Sequence, residues 1–321
     1  MLQFRIPGQN IQRLSGSFQE IPHGDPMSGF MVSAGLQQKY YQFVEGNPSD
    51  FIPSFKALPH EIDKLPFMEQ VETLKAKMAS TSLVKAVLSR VIRTPFPSID
   101  LPPLFQDLCQ GYPEAFVYHF NDRILGEWIG ASPEILLERT KNRCKMVALA
   151  GTQGAEANDN WGQKEVHEQQ IVSDFILEKL KEIGIHHTTK SLPFSASAGP
   201  VKHLKTEIEF DALPLAADTI IRAIHPTPAV CGAPRDKALE AIESLESHAR
   251  ELYTGIVGWF TPQETHCYVN LRCAQLIDHE FCSYVGAGIT MDSLPELEWI
   301  ETENKSKTLL SMLKNYQNDD K

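Results

Sequence analysis

Between residues 115 and 149 the sequence carries four short apolar segments, 115–120, 124–129, 135–138 and 144–149, divided by turn-like residues. So little chain between them leaves no room for the long crossover that a parallel pair needs, and consecutive strands have to run antiparallel. A further strand is predicted upstream over 83–92, ending at Arg93-Thr-Pro-Phe-Pro, and three more downstream over 254–260, 267–276 and 281–286. Helical spacing is confined to 67–78, 104–110, 161–183, 235–247 and 295–316. Strands in runs, broken by a few long helices, predict an α+β fold with large antiparallel sheets and not alternating βαβ units. No repeat or linker divides the chain, so residues 1–321 read as one large domain. Residues 1–60, rich in Gly, Pro and Gln, are expected to add strands and loops.

At 42% hydrophobic and 22% charged, the chain has ample material for a buried core. Its net charge of −11 argues against a nucleic-acid surface, which needs a basic stripe. Cys109, Cys144, Cys231, Cys267, Cys273 and Cys282 show no Cys-x-x-Cys spacing and read as reduced thiols of a cytoplasmic protein. The N-terminus lacks the apolar core of a signal peptide, and no apolar run reaches membrane-spanning length, so no membrane partner is expected.

Candidate chemistry begins with Glu298-Trp-Ile-Glu301-Thr-Glu-Asn-Lys305, which puts Glu298, Glu301 and Lys305 on one helix face. Ser293 and Glu296 form a capping-box pattern just upstream. Before them, Tyr284-Val-Gly286-Ala-Gly288-Ile289 offers backbone N–H groups beside the acids. Together these suit a Mg²⁺ site next to an anion cradle, and they also suit a plain solvated helix end. Glu240-Ala-Ile-Glu243 has the same spacing with nothing around it to suggest chemistry. A second acidic pair, Glu165 and Glu168 in Lys164-Glu-Val-His-Glu168, opens the 161–183 helix. Two helices each presenting such a pair can hold one hard cation that keeps several waters. Acids at a helix N-terminus are also favoured for their own sake.

Lys85 lies inside an apolar strand, where burial would lower its pKa and leave a neutral amine for general-base work, unless it guards a sheet edge. Glu134 in Gly130-Ala-Ser-Pro-Glu134 leads into a strand; burial would raise its pKa and let it act as an acid, unless it bonds loop amides. Arg272, in a strand apolar enough to be internal, needs an anionic partner from the protein or from a substrate. Tyr253 can set its hydroxyl nearby or simply serve the core. The segment His225-Pro-Thr-Pro-Ala-Val-Cys-Gly-Ala-Pro234 is stiffened by prolines, but rigidity names no ligand.

With these segments in hand, the chain resembles the chorismate-utilising enzymes over residues 83–314. Lys85-Ala-Val-Leu-Ser-Arg90, Gly130-Ala-Ser-Pro-Glu134, Leu149-Ala-Gly-Thr152, Lys164-Glu-Val-His-Glu168, His203-Leu-Lys-Thr206, the 225–234 segment, Leu252-Tyr-Thr-Gly255, Leu271-Arg-Cys273, Gly286-Ala-Gly-Ile289 and Glu298 onward to Lys305 occur in the family's order. The resemblance implies an αββα sandwich of two stacked antiparallel sheets, Mg²⁺ as cofactor, and chorismate, with its two carboxylates, as substrate. It implies Glu168 and Glu301 nearest the metal, with Glu165 and Glu298 acting through water. Arg272, Tyr253, His203, Ala229, Lys305 and the amides around Gly286 and Gly288 would bind substrate. Lys85 would be the base that activates water and Glu134 the acid that protonates the leaving hydroxyl.

The 225–234 segment is similar to that of family members that convert chorismate into isochorismate and stop there; salicylate-forming members tend to have threonine where Ala229 stands. Aminating members typically lack the lysine at the Lys85 position, so no glutaminase partner is expected. Salicylate formation, amination, and non-catalytic binding of chorismate or metal are the alternatives. The product would feed menaquinone or siderophore synthesis. Glu165 departs from the family's more usual aspartate, Gln169 from a frequent histidine, and Gly151-Thr-Gln-Gly154 lacks arginines often found there.

Overall fold

Strand follows strand through most of the chain, as the spacing of the apolar segments requires. The computed structural model describes residues 1–46, 57–96, 101–154, 156, 158, 160–198, 201–212 and 214–316. Part of the region expected to hold early strands and loops, 47–56, lies outside the described residues. The N-terminal part forms β1 (Leu2–Arg5), β2 (Gln12–Leu14), β3 (Gly16–Ile21), β4 (Gly29–Ser33) and β5 (Tyr40–Glu45). Helix α1 (Lys64–Ser80) leads to β6 (Lys85–Pro95) and α2 (Leu101–Gly111). The predicted antiparallel run follows as β7 (Phe116–Asp122), β8 (Gly126–Ser132), β9 (Ile135–Thr140) and β10 (Arg143–Gly154). Helix α3 (Gln163–Glu182) precedes β11 (Thr188–Lys190), β12 (Phe194–Ala198) and β13 (Val201–Asp211). The rest is α4 (Ala217–Ile224), β14 (Gly232–Ala233), α5 (Arg235–Leu245), β15 (Ile256–Phe260), β16 (Glu264–Val269), β17 (Cys273–Ile277), β18 (Glu280–Ile289) and α6 (Pro295–Leu313).

Among the described residues these strands make two antiparallel sheets. One has eight strands in the order β14-β6-β18-β17-β8-β7-β1-β2. The other has ten, in the order β11-β13-β10-β9-β16-β15-β4-β5-β3, with β12 beside β13. The sheets stack face to face over an aromatic layer that includes Phe4, Phe30, Phe116, Trp128, Tyr268 and Tyr284. Helices α3 and α4 cover the outer face of the ten-stranded sheet through Val172, Ile176, Leu180, Ile220 and Ile221. Helices α1 and α5 cover one end of the other sheet, and α2 covers the far end. Helix α6 spans both, through Trp299 and Leu309. The αββα sandwich is therefore present.

Two local expectations are corrected. The stretch 267–276 is not one strand: it breaks at 270–272, and its halves, β16 and β17, belong to different sheets. Arg272 thus sits in a crossing with φ of 49°, not inside a strand. The capping box does not form either. Leu294 takes the N-cap position of α6, Ser293 Oγ accepts from the Thr290 N–H (3.1 Å), and the Glu296 carboxylate pairs with Lys64 (2.5 Å). Pro295 at the start of the helix needs no N–H there, so the cap is dispensable.

Trp128 anchors the inter-sheet layer. It is fully buried, its indole N–H donates to the Leu125 carbonyl (2.9 Å), and its ring stacks on Tyr284 at 5.5 Å between centroids. Trp128→Ala is expected to cost about 3–5 kcal/mol of stability, measured as a shift in urea unfolding. A cost under about 1 kcal/mol would mean that the sheets close over the missing ring.

Candidate active site

A cleft opens between the two sheets. Of the residues singled out in the sequence, Lys85, Glu134, Glu168, His203, Ala229, Tyr253, Arg272, Gly286, Gly288, Glu301 and Lys305 line it. Glu165 and Glu298 stand just outside, on the same helices as Glu168 and Glu301. The decoy pair Glu240 and Glu243 is exposed on α5.

Strand parity aims Lys85 inward. Ala86 and Leu88 face the outer helices, so Lys85 and Val87 face the gap between sheets. At 2% exposure, and flanked by β14 and β18, Lys85 is no edge guard. Among the described residues its ammonium has no hydrogen bond or ion pair. Burial lowers its pKa, and the Glu168 carboxylate only partly opposes this. Glycine makes room for it: a Cβ on Gly288 would lie 3.0 Å from Lys85 Cε, 3.4 Å from Nζ and 3.5 Å from Glu168 Oε2.

Gly286 works the same face two residues earlier. A Cβ there would stand 2.9 Å from the Tyr253 hydroxyl. The Gly286 carbonyl accepts from Lys305 Nζ (2.9 Å), and β17 pairs with β18 only as far as Tyr284. The amide and carbonyl of one strand residue point to the same side. The Gly286 N–H therefore also points away from β6, into the space β17 vacates.

Glu134 lies in the connection between β8 and β9, 5% exposed, its carbonyl accepting from the Val269 N–H (2.9 Å). Burial pushes its carboxyl up to about 7, against the pull of Lys305, Lys85 and Arg272. Its side chain makes no hydrogen bond to loop amides among the described residues. His203 reaches the Gly151 carbonyl through Nδ1 (3.0 Å) and Arg272 Nη2 through Nε2 (3.4 Å). A carbonyl can only accept, so Nδ1 carries the hydrogen and Nε2 offers its lone pair to the guanidinium. Burial, and then Arg272, hold its pKa down to about 3, so the ring stays neutral. Gln169 donates to Thr206 Oγ1 and so ties α3 to β13.

Glu168, Glu298 and Glu301 lie near enough to influence one another, with lysines among them. Lys164 Nζ bonds Glu298 Oε1 at 2.5 Å and stands 3.8 Å from Glu168 Oε1; Lys305 pairs with Glu301 at 2.6 Å. Burial raises the pKa of Glu168, opposed by Lys85 and Lys164. Burial, helped by the neighbouring Glu301, raises that of Glu298. Burial disfavours ionised Glu301 too, but the Lys305 ammonium outweighs it and holds that carboxyl below its ordinary value. Glu165 is half-buried, its carboxylate beside Gly162 and its stem against Gly151. Among the described residues no three His, Cys, Asp or Glu side chains are placed to hold a metal ion together. Yet Glu168 Oε1 is buried without a hydrogen-bond partner among the described residues. A hard oxygen donor left in this way fits a hard cation such as Mg²⁺.

Sequence reasoning passed over Lys164 as a flank, although its i, i+4 spacing to Glu168 is a helix-pair signal. It also missed the buried pair Glu246 and Arg250 behind the cleft, whose i, i+4 spacing carries no mark of burial.

Comparison with known proteins gives the family. The family model for chorismate binding enzyme matches residues 33–314. The isochorismate synthase EntC of Escherichia coli is 33% identical over 259 residues, 77% of this chain and 66% of that protein, so the chain spans just under two thirds of its length. A solved structure described as a putative 2,3-dihydroxybenzoate-specific isochorismate synthase, DhbC from Bacillus anthracis, superposes with a TM-score of 0.81. It is 24% identical and covers 98% of this chain and 95% of that one. The menaquinone-specific isochorismate synthase MenF from Escherichia coli superposes with a TM-score of 0.72 at 20% identity, over 97% of this chain and 88% of that one. With the fold and a family match over most of its length in agreement, the chain belongs to the chorismate-binding enzyme family.

Proposed function

We propose that this chain is a Mg²⁺-dependent isochorismate synthase that isomerises chorismate by adding water at ring C2 and releasing the C4 hydroxyl. One observation carries the reading: a buried amine with a lowered pKa and a buried carboxyl with a raised pKa, Lys85 and Glu134, open on one cleft without side-chain partners among the described residues. Water is a poor nucleophile and hydroxide a poor leaving group, so this addition and loss needs a base and an acid together. Neutral Lys85 takes a proton from the water as its oxygen bonds to C2. Protonated Glu134 gives its proton to the C4 oxygen, which departs as water while the ring double bonds shift. In the reverse direction the two exchange roles. Arg272, steadied by His203, and the Gly286 amide suit one substrate carboxylate. Glu168 and Glu301, backed by Glu165 and Glu298, would hold Mg²⁺, which supplies positive charge against the other carboxylate and the developing charge of the π system.

The reading is tested by incubating purified protein with chorismate and Mg²⁺ and separating the products by chromatography. Isochorismate is expected, lost on adding EDTA and reduced about 10²–10⁴-fold by Lys85→Ala or Glu134→Gln. Salicylate with pyruvate, an aminated product that needs ammonia, or no turnover would each overturn it.

Glu134 also sets a pH dependence. The forward reaction needs its protonated form, so kcat/KM is expected to fall about tenfold per unit above pH about 7. Stability follows the same proton. Glu134 binds it more tightly folded than unfolded, so the gain is complete below 4.5 and disappears as pH rises through about 7. Glu134→Gln is expected to gain on the wild type by on the order of 3 kcal/mol between those limits, measured by urea unfolding at both ends. An unchanged difference would place Glu134 in water.

A further inference from the structure

Beyond β14, strand β6 has an open edge where its ladder should continue. β14 is two residues long and pairs only with Lys85 and Ala86. Its flanks add two bonds, Val84 N–H to the Ala233 carbonyl and Val87 N–H to the Cys231 carbonyl, both 2.8 Å. Past that point Val87 still presents a carbonyl and Ser89 an N–H on the same side. Two side chains meet them. Arg250 Nη2 donates to the Val87 carbonyl (2.6 Å), and Glu246 Oε1 accepts from the Ser89 N–H (2.7 Å) and Oγ (2.8 Å). The two are themselves a bidentate pair, Arg250 Nε to Glu246 Oε2 at 2.8 Å and Nη2 to Oε1 at 2.5 Å, with both side chains at most 6% exposed. They stand in for the missing strand, one as donor and one as acceptor.

The same guanidinium reaches two further walls of the cleft. Arg250 Nη1 donates to the Val230 carbonyl (2.9 Å) and lies 3.4 Å from Thr254 Oγ1. Val87, Val230 and Thr254 all line the cleft, and Val87 is two residues along the same strand face from Lys85. A buried ion pair is a poor source of net stability, because well-packed apolar residues often do as well. What these two side chains provide that apolar ones cannot is a fixed register between the strand carrying Lys85 and the proline-stiffened 225–234 loop. We propose that Glu246 and Arg250 are positioning residues: they hold the β6 edge against this loop and so fix where the Lys85 amine stands. This rests on the reading of Lys85 as the base.

The test compares wild type, Glu246→Gln and Arg250→Lys at saturating Mg²⁺. The first variant keeps the shape of the side chain, and the second keeps the charge but cannot bond both carbonyls. In each, kcat for chorismate, normalised to folded protein, is expected to fall tenfold or more with KM within threefold. Amide hydrogen exchange at Val84 and Val87 is expected to quicken at least tenfold while β15 and β16 keep their protection. A purely structural role would lower the melting temperature and leave kcat per folded molecule unchanged. A fall in kcat of less than tenfold in both variants, or unchanged exchange at Val84 and Val87, overturns the proposal. Wild-type protein that leaves chorismate untouched instead sinks the functional reading, without reference to either variant.

Discussion

A chain that passes from one stacked sheet to the other must give up its ladder at the crossing and satisfy the freed backbone some other way. Here the crossing between β16 and β17 is held by Asn270, which is fully buried. Its N–H donates to the Gly255 carbonyl (2.7 Å), and its carbonyl accepts from the Thr254 N–H (2.9 Å). Its side chain donates to the Leu252 carbonyl (2.9 Å) and accepts from the Tyr118 hydroxyl (2.8 Å). Every polar group of the residue is used, so the break in the ladder costs little. The next turn of chain puts Arg272 into the left-handed region and its side chain into the cleft. A second crossing, from β8 to β9, delivers Glu134 to the same cleft. Elsewhere the gap between sheets is filled by aromatic and aliphatic side chains. Glu134 and Arg272 enter the cleft where strands change sheets, and Lys85 and His203 enter it from strand faces.

Charge is then shared out unevenly. Lys305 is matched by Glu301 and Lys164 by Glu298. Lys85 and Glu134 have no such match among the described residues, and burial drives both toward their neutral forms. A neutral amine and a protonated acid in one cleft are the starting state that the proposed reaction needs, reached without either group meeting the other. Two charges remain. Arg272 cannot shed its proton and has no carboxylate at ion-pair distance among the described residues, so it favours an anion. Glu168 keeps a buried oxygen without a hydrogen bond, which favours a cation. What is left after internal pairing is room for an anion at Arg272 and for a cation at Glu168, in keeping with the proposed reaction.

Much of this was legible in the sequence, for reasons that can be named. The 115–149 run showed the antiparallel hairpins β7-β8 and β9-β10, though not the change of sheet between β8 and β9, and most residues of the cleft were found through short motifs whose types suit acid, base and anion work. What escaped was long-range or balanced between signals. β13 alternates Leu204, Thr206, Ile208 and Phe210 with Lys205, Glu207 and Glu209, a period-two pattern that was there to read, but its charged face hid it. Helix α4 spans only eight residues, too few for its periodicity to stand out. The break at 270–272 was invisible because apolar residues on both sides of it are buried, though in different sheets. Burial of Glu246 and Arg250 depends on β14 ending after two residues, a fact of tertiary pairing that no local spacing carries.

The last dependence runs from the core to the chemistry. Trp128, Tyr284 and Tyr253 form a continuous stack, with centroids 5.5 and 5.8 Å apart. It begins in the inter-sheet layer and ends at the Tyr253 hydroxyl, which fills the place a side chain on Gly286 would take. The stack occupies one face of β18 and the two glycines continue that face, so large side chains give way to none where the cleft begins. Lys85, Glu134 and Arg272 come from three separate stretches of chain, and the packing between sheets helps to set their distances. Rigid aromatic rings suit that task, since they bury large areas while losing few rotamers. The aromatic layer therefore does more than close the core: it helps set the spacing between a buried amine and a buried carboxyl that open on one cleft.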